Sequence, residues 1–90
     1  MTRYSVSIRE PNPSAFEIGA VYWADVVEAS SPTEARGLAI ARFLKPLDVA
    51  ALPAHEQDIG RRLEEASARK RATFQAGGCE VVVRKSRGRA

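Results

Sequence analysis

The sequence predicts a two-layer α+β fold, in the order ββααβ, with a three-stranded, mainly antiparallel sheet and two helices on one face. Residues 3–9 alternate polar and apolar side chains, which is typical of a half-buried strand. Residues 18–44 combine a largely apolar strand with a capped amphipathic helix. The last part of the chain predicts a long helix followed by a strand of three consecutive valines. Two packed layers bury the apolar faces of such elements.

The chain has 90 residues, the size of one small domain. We assign residues 1–85 to a single α+β domain and residues 86–90 to a flexible basic tail. A domain of this size buries only ~60–65% of its unfolded surface, so we expect self-association, most simply as a homodimer. The single cysteine excludes an intrachain disulfide and fits a reducing compartment, so we expect a cytoplasmic protein.

The first predicted strand covers residues 3–9 and ends at a turn that is rich in proline. Pro11 and Pro13 cannot donate to a strand ladder, so residues 10–17 are predicted to form a hairpin loop. The inner face of the strand is predicted to carry Tyr4, Val6 and Ile8.

The second predicted strand covers residues 18–29 and is apolar on both faces over much of its length. Such a strand is expected to lie in the centre of its sheet or to be covered on both sides. Strict alternation places Tyr22 and Trp23 on opposite faces, with one of them exposed. The row that contains Val27 is expected to face the first helix, although Asp25 interrupts that row.

The first helix is predicted over residues 32–45, with Ser31 as its N-cap. A proline follows at the first helical position, and Glu34 completes a capping box. Gly37 lies in the helix interior, which suggests close approach to a strand or to another helix. Residues 48–52 predict a short turn after the helix. The predicted inner stripe consists of Ala35, Leu38, Ala39 and Phe43.

The second helix is predicted from residue 53 or 54 to residue 74, with acidic residues first and basic residues last. Its spacing predicts ion pairs between Asp58 and Arg62 and between Glu65 and Arg69. The apolar stripe is narrow, so the helix is expected to project, to lie across the surface, or to pair with a partner or a second copy. The residues predicted for that interface are Ile59, Leu63, Ala66 and Phe74.

The third strand is predicted over residues 79–86, and basic residues are concentrated around it. The net charge is +3, yet residues 1–68 hold seven basic and ten acidic residues, whereas residues 69–90 hold seven basic residues and one acidic residue. This asymmetry indicates an anionic partner, although basic tails also keep small proteins soluble. The predicted nucleic-acid contacts are Arg69, Lys70, Arg71, Arg84, Lys85, Arg87 and Arg89.

The primary functional interpretation is a non-enzymatic small binding protein that contacts DNA or RNA through its basic C-terminal region. No helix-turn-helix, RNP-like or zinc-finger pattern is present, so we expect largely nonspecific phosphate contact. Cys79 and His55 are the nucleophile and base types present, but the second helix separates them, so no catalytic residue is assigned. We likewise predict no metal site, cofactor or membrane span.

Three segments carry a resemblance to a known family: YSVSIRE, YWADV and SSPTEARGLAIARF, between Tyr4 and Phe43. Together they resemble the ββα pattern of HicB-like antitoxins, which have a partial ribonuclease-H-like fold. The additional strand and glycine-rich turn of that family are missing before Ser30, and the second helix has no counterpart. The chain also resembles small accessory proteins of actinobacterial phages.

These resemblances imply an alternative function. The chain would then be a protein–protein interaction module, such as a phage-encoded modulator of a host protein or an antitoxin-like partner. Neither resemblance transfers a site residue to this sequence.

Overall fold

The computed structural model describes residues 1–11 and 20–86. It has the predicted α+β class and the predicted ββααβ order. The parts of the predicted loop and tail at residues 12–19 and 87–90 lie outside the described residues, and so do Arg87 and Arg89. The elements are β1 (Thr2–Arg9), β2 (Val21–Ala29), α1 (Pro32–Leu44), two short 3-10 helices (Val49–Ala51 and Ala54–Glu56), α2 (Gln57–Gln75) and β3 (Glu80–Lys85).

The three strands form an antiparallel sheet in the order β2-β1-β3. The expectation of a central or doubly covered β2 was wrong, because β3 returns to the other side of β1 and leaves β2 at an edge. Val21 and Val26 on β2 are 56% and 48% exposed. The central strand β1 alternates regularly because a helix layer covers only one face of the sheet.

The hydrophobic core lies between α1 and the covered face of the sheet. Val6, Ile8 and Val27 are completely buried there, as the alternation of β1 and the favoured face of β2 predicted. From α1, Ala35, Ala39 and Phe43 are buried. Leu38 is 40% exposed, so its assignment to the inner stripe was wrong. Because two of the three buried α1 residues are alanines, the helix axis can approach the sheet closely.

The capping box at the start of α1 forms in a shifted version. The Ser31 hydroxyl accepts a hydrogen bond from the Glu34 N–H at 3.1 Å. The Glu34 carboxylate accepts from the Ser30 N–H at 3.1 Å and from the Ser30 hydroxyl at 2.9 Å, one residue before the N-cap. These bonds satisfy backbone donors at the helix start, and the two bonds from Ser30 lower the pKa of the Glu34 carboxyl.

The two helical glycines have different surroundings. A Cβ atom built on Gly37 would meet no atom of the described residues within 4 Å, so the expected close approach of a strand or helix at this residue was wrong. The close approach occurs instead at Gly60, where a Cβ would lie 2.4 Å from Cδ1 of Leu52. Gly60 therefore allows α2 to pack against the connector that follows α1.

Helix α2 packs mainly against the two short helices, and its C-terminal half reaches α1 and β2. The Phe74 ring meets the Phe43 ring edge-on, with centroids 5.5 Å apart. Asp58 pairs with Arg61 at 2.8 Å, whereas the sequence predicted a pair with Arg62. The predicted pair of Glu65 with Arg69 does not form either, since Glu65 has no ion-pair partner among the described residues. Gly77, with φ of 85°, follows α2 and begins the turn into β3. None of the helices in the described part of the chain is long and apolar enough to cross a membrane.

Candidate nucleic-acid interface

A β-bulge at the start of β2 places two consecutive aromatic residues on one cleft. Ile8 pairs with Trp23 and Arg9 pairs with Val21, so Tyr22 is an extra residue with no partner on β1. Both aromatic side chains are half-buried and both line the cleft. The prediction that they lie on opposite faces was therefore wrong, because the bulge interrupts the alternation on which it relied.

The cleft has a volume of about 630 Å³ and opens to solvent. It lies between the start of β2, the C-terminal end of α1, the connector and α2. Apolar atoms of Phe43, Pro46 and Leu47 contribute to its walls. Among the described residues, its charged lining comprises four basic and two acidic residues, namely Arg42, Lys45, Lys70, Arg71, Asp48 and Glu64. The lining thus combines aromatic surface with an excess of positive charge.

The most enclosed charges in the cleft belong to the ion pair between Arg71 and Glu64. The two side chains are only 14% and 20% exposed, and the guanidinium donates to both carboxylate oxygens. One of these oxygens, Oε1, also accepts from the backbone N–H of Leu47 at 2.9 Å. Arg71 is the largest cause of the lowered pKa of Glu64, and the Leu47 N–H adds to the effect. This carboxylate therefore fixes the connector to α2 and occupies Arg71.

The other cations of the cleft are less restrained. Lys70 places its Nζ atom 5.9 Å from the centre of the Tyr22 ring, within the range of a cation–π contact. Arg42 reaches Asp25 at 3.9 Å, and both side chains are more than half exposed, so this pair is weak. It nevertheless explains the carboxylate in the helix-facing row of β2. Lys45 is exposed and forms no ion pair with any residue of the described ranges.

Burial raises the pKa of the Tyr22 hydroxyl, and the nearby Glu10 and Cys79 raise it further. A hydrogen bond with the Thr73 side chain opposes this rise. The hydroxyl therefore stays protonated near neutral pH, and the ring keeps an uncharged surface on which a planar group can stack.

The predicted nucleic-acid residues fall into two groups. Lys70 and Arg71 line the cleft, and Arg69 is exposed on the same helix. Arg84 and Lys85 are exposed on β3, opposite Ser5 and Tyr4 of β1. The cleft lies near the Arg9 end of β1, whereas the second group lies four to five residues away along that strand. At ~3.4 Å per residue, this separation is about 15 Å.

The predicted interface residues of α2 also separate. Ile59 is 62% exposed and Leu63 is 59% exposed, and Ala66 is exposed beside them. Phe74 is half-buried and its ring packs edge-on against Phe43, so a smaller fraction of its surface is exposed than for the other three. We call Ile59, Leu63 and Ala66 the exposed α2 stripe.

The two residues considered for catalysis have different surroundings, and Cys79 is the more enclosed of them. Burial, followed by the charge of Glu10, raises the pKa of the Cys79 thiol, which lowers the fraction of nucleophilic thiolate. The His55 side chain is 80% exposed and lies 3.7 Å from Glu56. Within residues 1–11 and 20–86, no group of three or more His, Cys, Asp or Glu side chains could hold a metal ion.

Comparison of the chain with profiles of protein families, with curated proteins and with solved structures finds no match. The resemblance to HicB-like antitoxins and phage accessory proteins therefore stays a prediction from sequence.

Three charged residues of this cleft were not predicted from the sequence, namely Arg42, Lys45 and Glu64. Arg42 and Lys45 belong to α1 and its C-cap, whereas the charge analysis considered only the C-terminal end of the chain. The signal that could have found them is positional, because the end of α1 must lie near the start of β2 when helix and strand pack antiparallel.

Proposed function

We propose that the chain is a non-enzymatic, cytoplasmic protein that binds single-stranded nucleic acid. The observation that carries this proposal is the placement of Tyr22 and Trp23 in one open cleft with four basic side chains. Aromatic rings stack on unpaired bases, and lysine and arginine contact the phosphates beside them. In the bound state, one base enters the cleft against Tyr22, and Lys45 and Lys70 contact the flanking phosphates.

The cleft accommodates an unpaired base better than duplex DNA. A base within a duplex is stacked on its neighbours and does not present its face to a protein ring. The proposed contacts involve ring faces and phosphate oxygens, so binding should show little sequence preference. Arg69, Arg84 and Lys85 are exposed and extend the positive surface beyond the cleft.

Fluorescence anisotropy with labelled single-stranded RNA and DNA tests this function. Affinity should fall roughly tenfold or more between about 50 and 200 mM salt if a few phosphates are contacted. Tyr22→Leu keeps a bulky apolar side chain but removes the ring, so it should weaken binding by roughly 5- to 150-fold, equivalent to about 1–3 kcal/mol for one stacked base.

Two controls separate stacking from phosphate contact. An oligonucleotide that lacks bases should bind wild type and Tyr22→Leu equally, since no base can stack. Lys45→Ala should reduce the slope of log affinity against log salt by about 0.7 without removing the preference for bases. If neither RNA nor DNA binds at low salt, the proposal is refuted.

The exposed α2 stripe favours a second candidate function, recognition of another protein. Ile59 and Leu63 lie one helical turn apart, and each is about 60% exposed. An apolar ridge of this kind fits a groove on a partner protein, such as the host protein or toxin that the resemblances imply. Leu63→Glu should abolish capture of such a partner but leave nucleic-acid binding unchanged, and the reverse result would exclude this candidate.

A further inference from the structure

The two outer strands of the sheet expose different edges. The Ser86 N–H bonds to the carbonyl oxygen of Arg3 at 2.9 Å, so the odd-numbered residues of β1 direct their backbone groups toward β3. Their β3 partners include Val82, paired with Ser7, and Arg84, paired with Ser5. The alternate residues of β3, Val81 and Val83, consequently direct their backbone groups away from β1, toward the open edge.

The edge of β2 is partly blocked by a side chain. The Glu10 N–H bonds to the Ala20 carbonyl, so the even-numbered residues of β1 direct their backbone groups toward β2. In the register of β1 with β2, the N–H of Val26 therefore points away from β1, toward the open edge. Asp25 Oδ1 accepts this N–H at 2.8 Å. A carboxylate on an edge strand also discourages the approach of another strand. Within the described residues, no side chain accepts the corresponding N–H groups of Val81 and Val83 on β3.

We propose that β3 pairs antiparallel with β3 of a second copy of this chain, about a two-fold axis at Val82. The result is one continuous six-stranded sheet. In this register Val81 exchanges both backbone hydrogen bonds with Val83 of the second copy. The pairing satisfies the outward backbone groups that the monomer leaves at this edge.

The charges along β3 select this register. Outward backbone groups align only when the axis lies on a residue of β3, so possible registers differ by steps of two residues. With the axis at Val82, Glu80 of each copy lies directly opposite Arg84 of the other. An axis at Glu80 or Arg84 opposes like charges, and an axis at Val81 or Val83 leaves both charges without an opposite partner.

The residues that meet in this register are available in the monomer. Glu80, Val82 and Arg84 lie on the sheet face that α1 does not cover, because they pair with Arg9, Ser7 and Ser5. Arg84 is exposed, and among described residues it has no ion-pair partner. Glu80 contacts Arg9 at 3.5 Å, and its side chain remains 43% exposed. Each Glu80 can therefore accept Arg84 of the second copy while it keeps Arg9.

Cysteine cross-linking tests the register in the full chain with Cys79→Ser as background. Val82→Cys places two thiols across the axis in a non-hydrogen-bonded pair, where Cα atoms lie about 4.5 Å apart, within the range of a disulfide. Mild oxidation should yield a linked dimer on a non-reducing gel. Val26→Cys is the matched control, because it lies on the same sheet face at the blocked edge and should run as an unlinked monomer on the same denaturing gel. Failure of Val82→Cys to cross-link, or equal cross-linking of the control, would overturn the register.

Charge exchange tests the same contact by light scattering at about 0.1 mM protein. Wild type should have twice the 9.8 kDa mass of the monomer. Glu80→Arg and Arg84→Glu should each produce monomers with unchanged circular dichroism, and the double variant should dimerise again. Leu63→Glu should remain dimeric, since the exposed α2 stripe takes no part. A monomeric wild type, no recovery in the double variant, or a monomeric Leu63→Glu would overturn the proposal.

Discussion

Replacing Glu64 by glutamine should strengthen nucleic-acid binding, although the substitution removes a well-formed ion pair. The carboxylate occupies Arg71 with two hydrogen bonds in a setting where both side chains are at most 20% exposed. Glutamine keeps an amide oxygen that can accept the Leu47 N–H, so the connector stays attached to α2. The variant thus removes one negative charge from the cleft and makes one arginine available to phosphate.

The expected size of this change follows from counterion release. One additional phosphate contact on a single strand makes the slope of log affinity against log salt steeper by about 0.7. When the salt concentration rises from about 50 to 200 mM, Glu64→Gln should therefore lose roughly 2.6-fold more affinity than wild type. At about 50 mM salt, the variant should bind more tightly than wild type.

Anisotropy titrations at several salt concentrations measure both slopes. Glu65→Gln is the matched control, because Glu65 is the next residue of α2, is exposed, and forms no ion pair with a described residue. It removes the same charge without releasing an arginine, so its slope should equal that of wild type. An unchanged slope for Glu64→Gln, or an equal increase for Glu65→Gln, would refute the assignment of Arg71 to the interface.

Three further results are expected. Gly37→Ala should raise the free energy of unfolding by about 0.5–1 kcal/mol, because its Cβ meets open space in a helix interior, and thermal unfolding should show a higher Tm. Gly60→Ala should raise the free energy of unfolding less than Gly37→Ala does, or should lower it, because its Cβ would collide with a methyl group of Leu52 that must move. An equal increase for the two variants would contradict the close packing at Gly60. The lowered pKa values of Glu34 and Glu64 mean that both stabilise the fold fully above their ordinary value of 4.5 and lose this contribution as pH falls through the lower folded values. Urea titrations at stepped pH should show this loss below pH 4.5, and Glu34→Gln should make the free energy of unfolding depend less steeply on pH in that range.

Local signals in the sequence predicted the fold well. The alternation in β1 identified the buried face that holds Val6 and Ile8, and the Ser31–Glu34 spacing located the start of α1. These features depend on residues within a few positions of one another, so the physical cause is visible in the sequence itself.

The sheet order and the cleft depend on contacts that the sequence does not encode locally. The apolar residues on both faces of β2 suggested a central or covered strand, yet β2 lies at an edge of the sheet. Apolar side chains are also common on protein surfaces, so an apolar strand does not by itself define its place in the sheet. The ion pair of Glu64 with Arg71 spans two helical turns, beyond the usual i,i+4 rule, and it is reinforced by the distant Leu47 backbone.

The bulge at Tyr22 divides β2 into two parts with opposite phase. From Trp23 onward, odd-numbered residues face α1, whereas Val21 shares the uncovered face with Arg9. Deletion of Tyr22 would leave the register of Trp23 to Ala29, and hence the core, intact, while the ladder became regular and the cleft lost one aromatic wall. The extra residue thus uncouples the two tasks of the strand, so evolution or design can alter what the cleft recognises without disturbing the packing that holds the domain together.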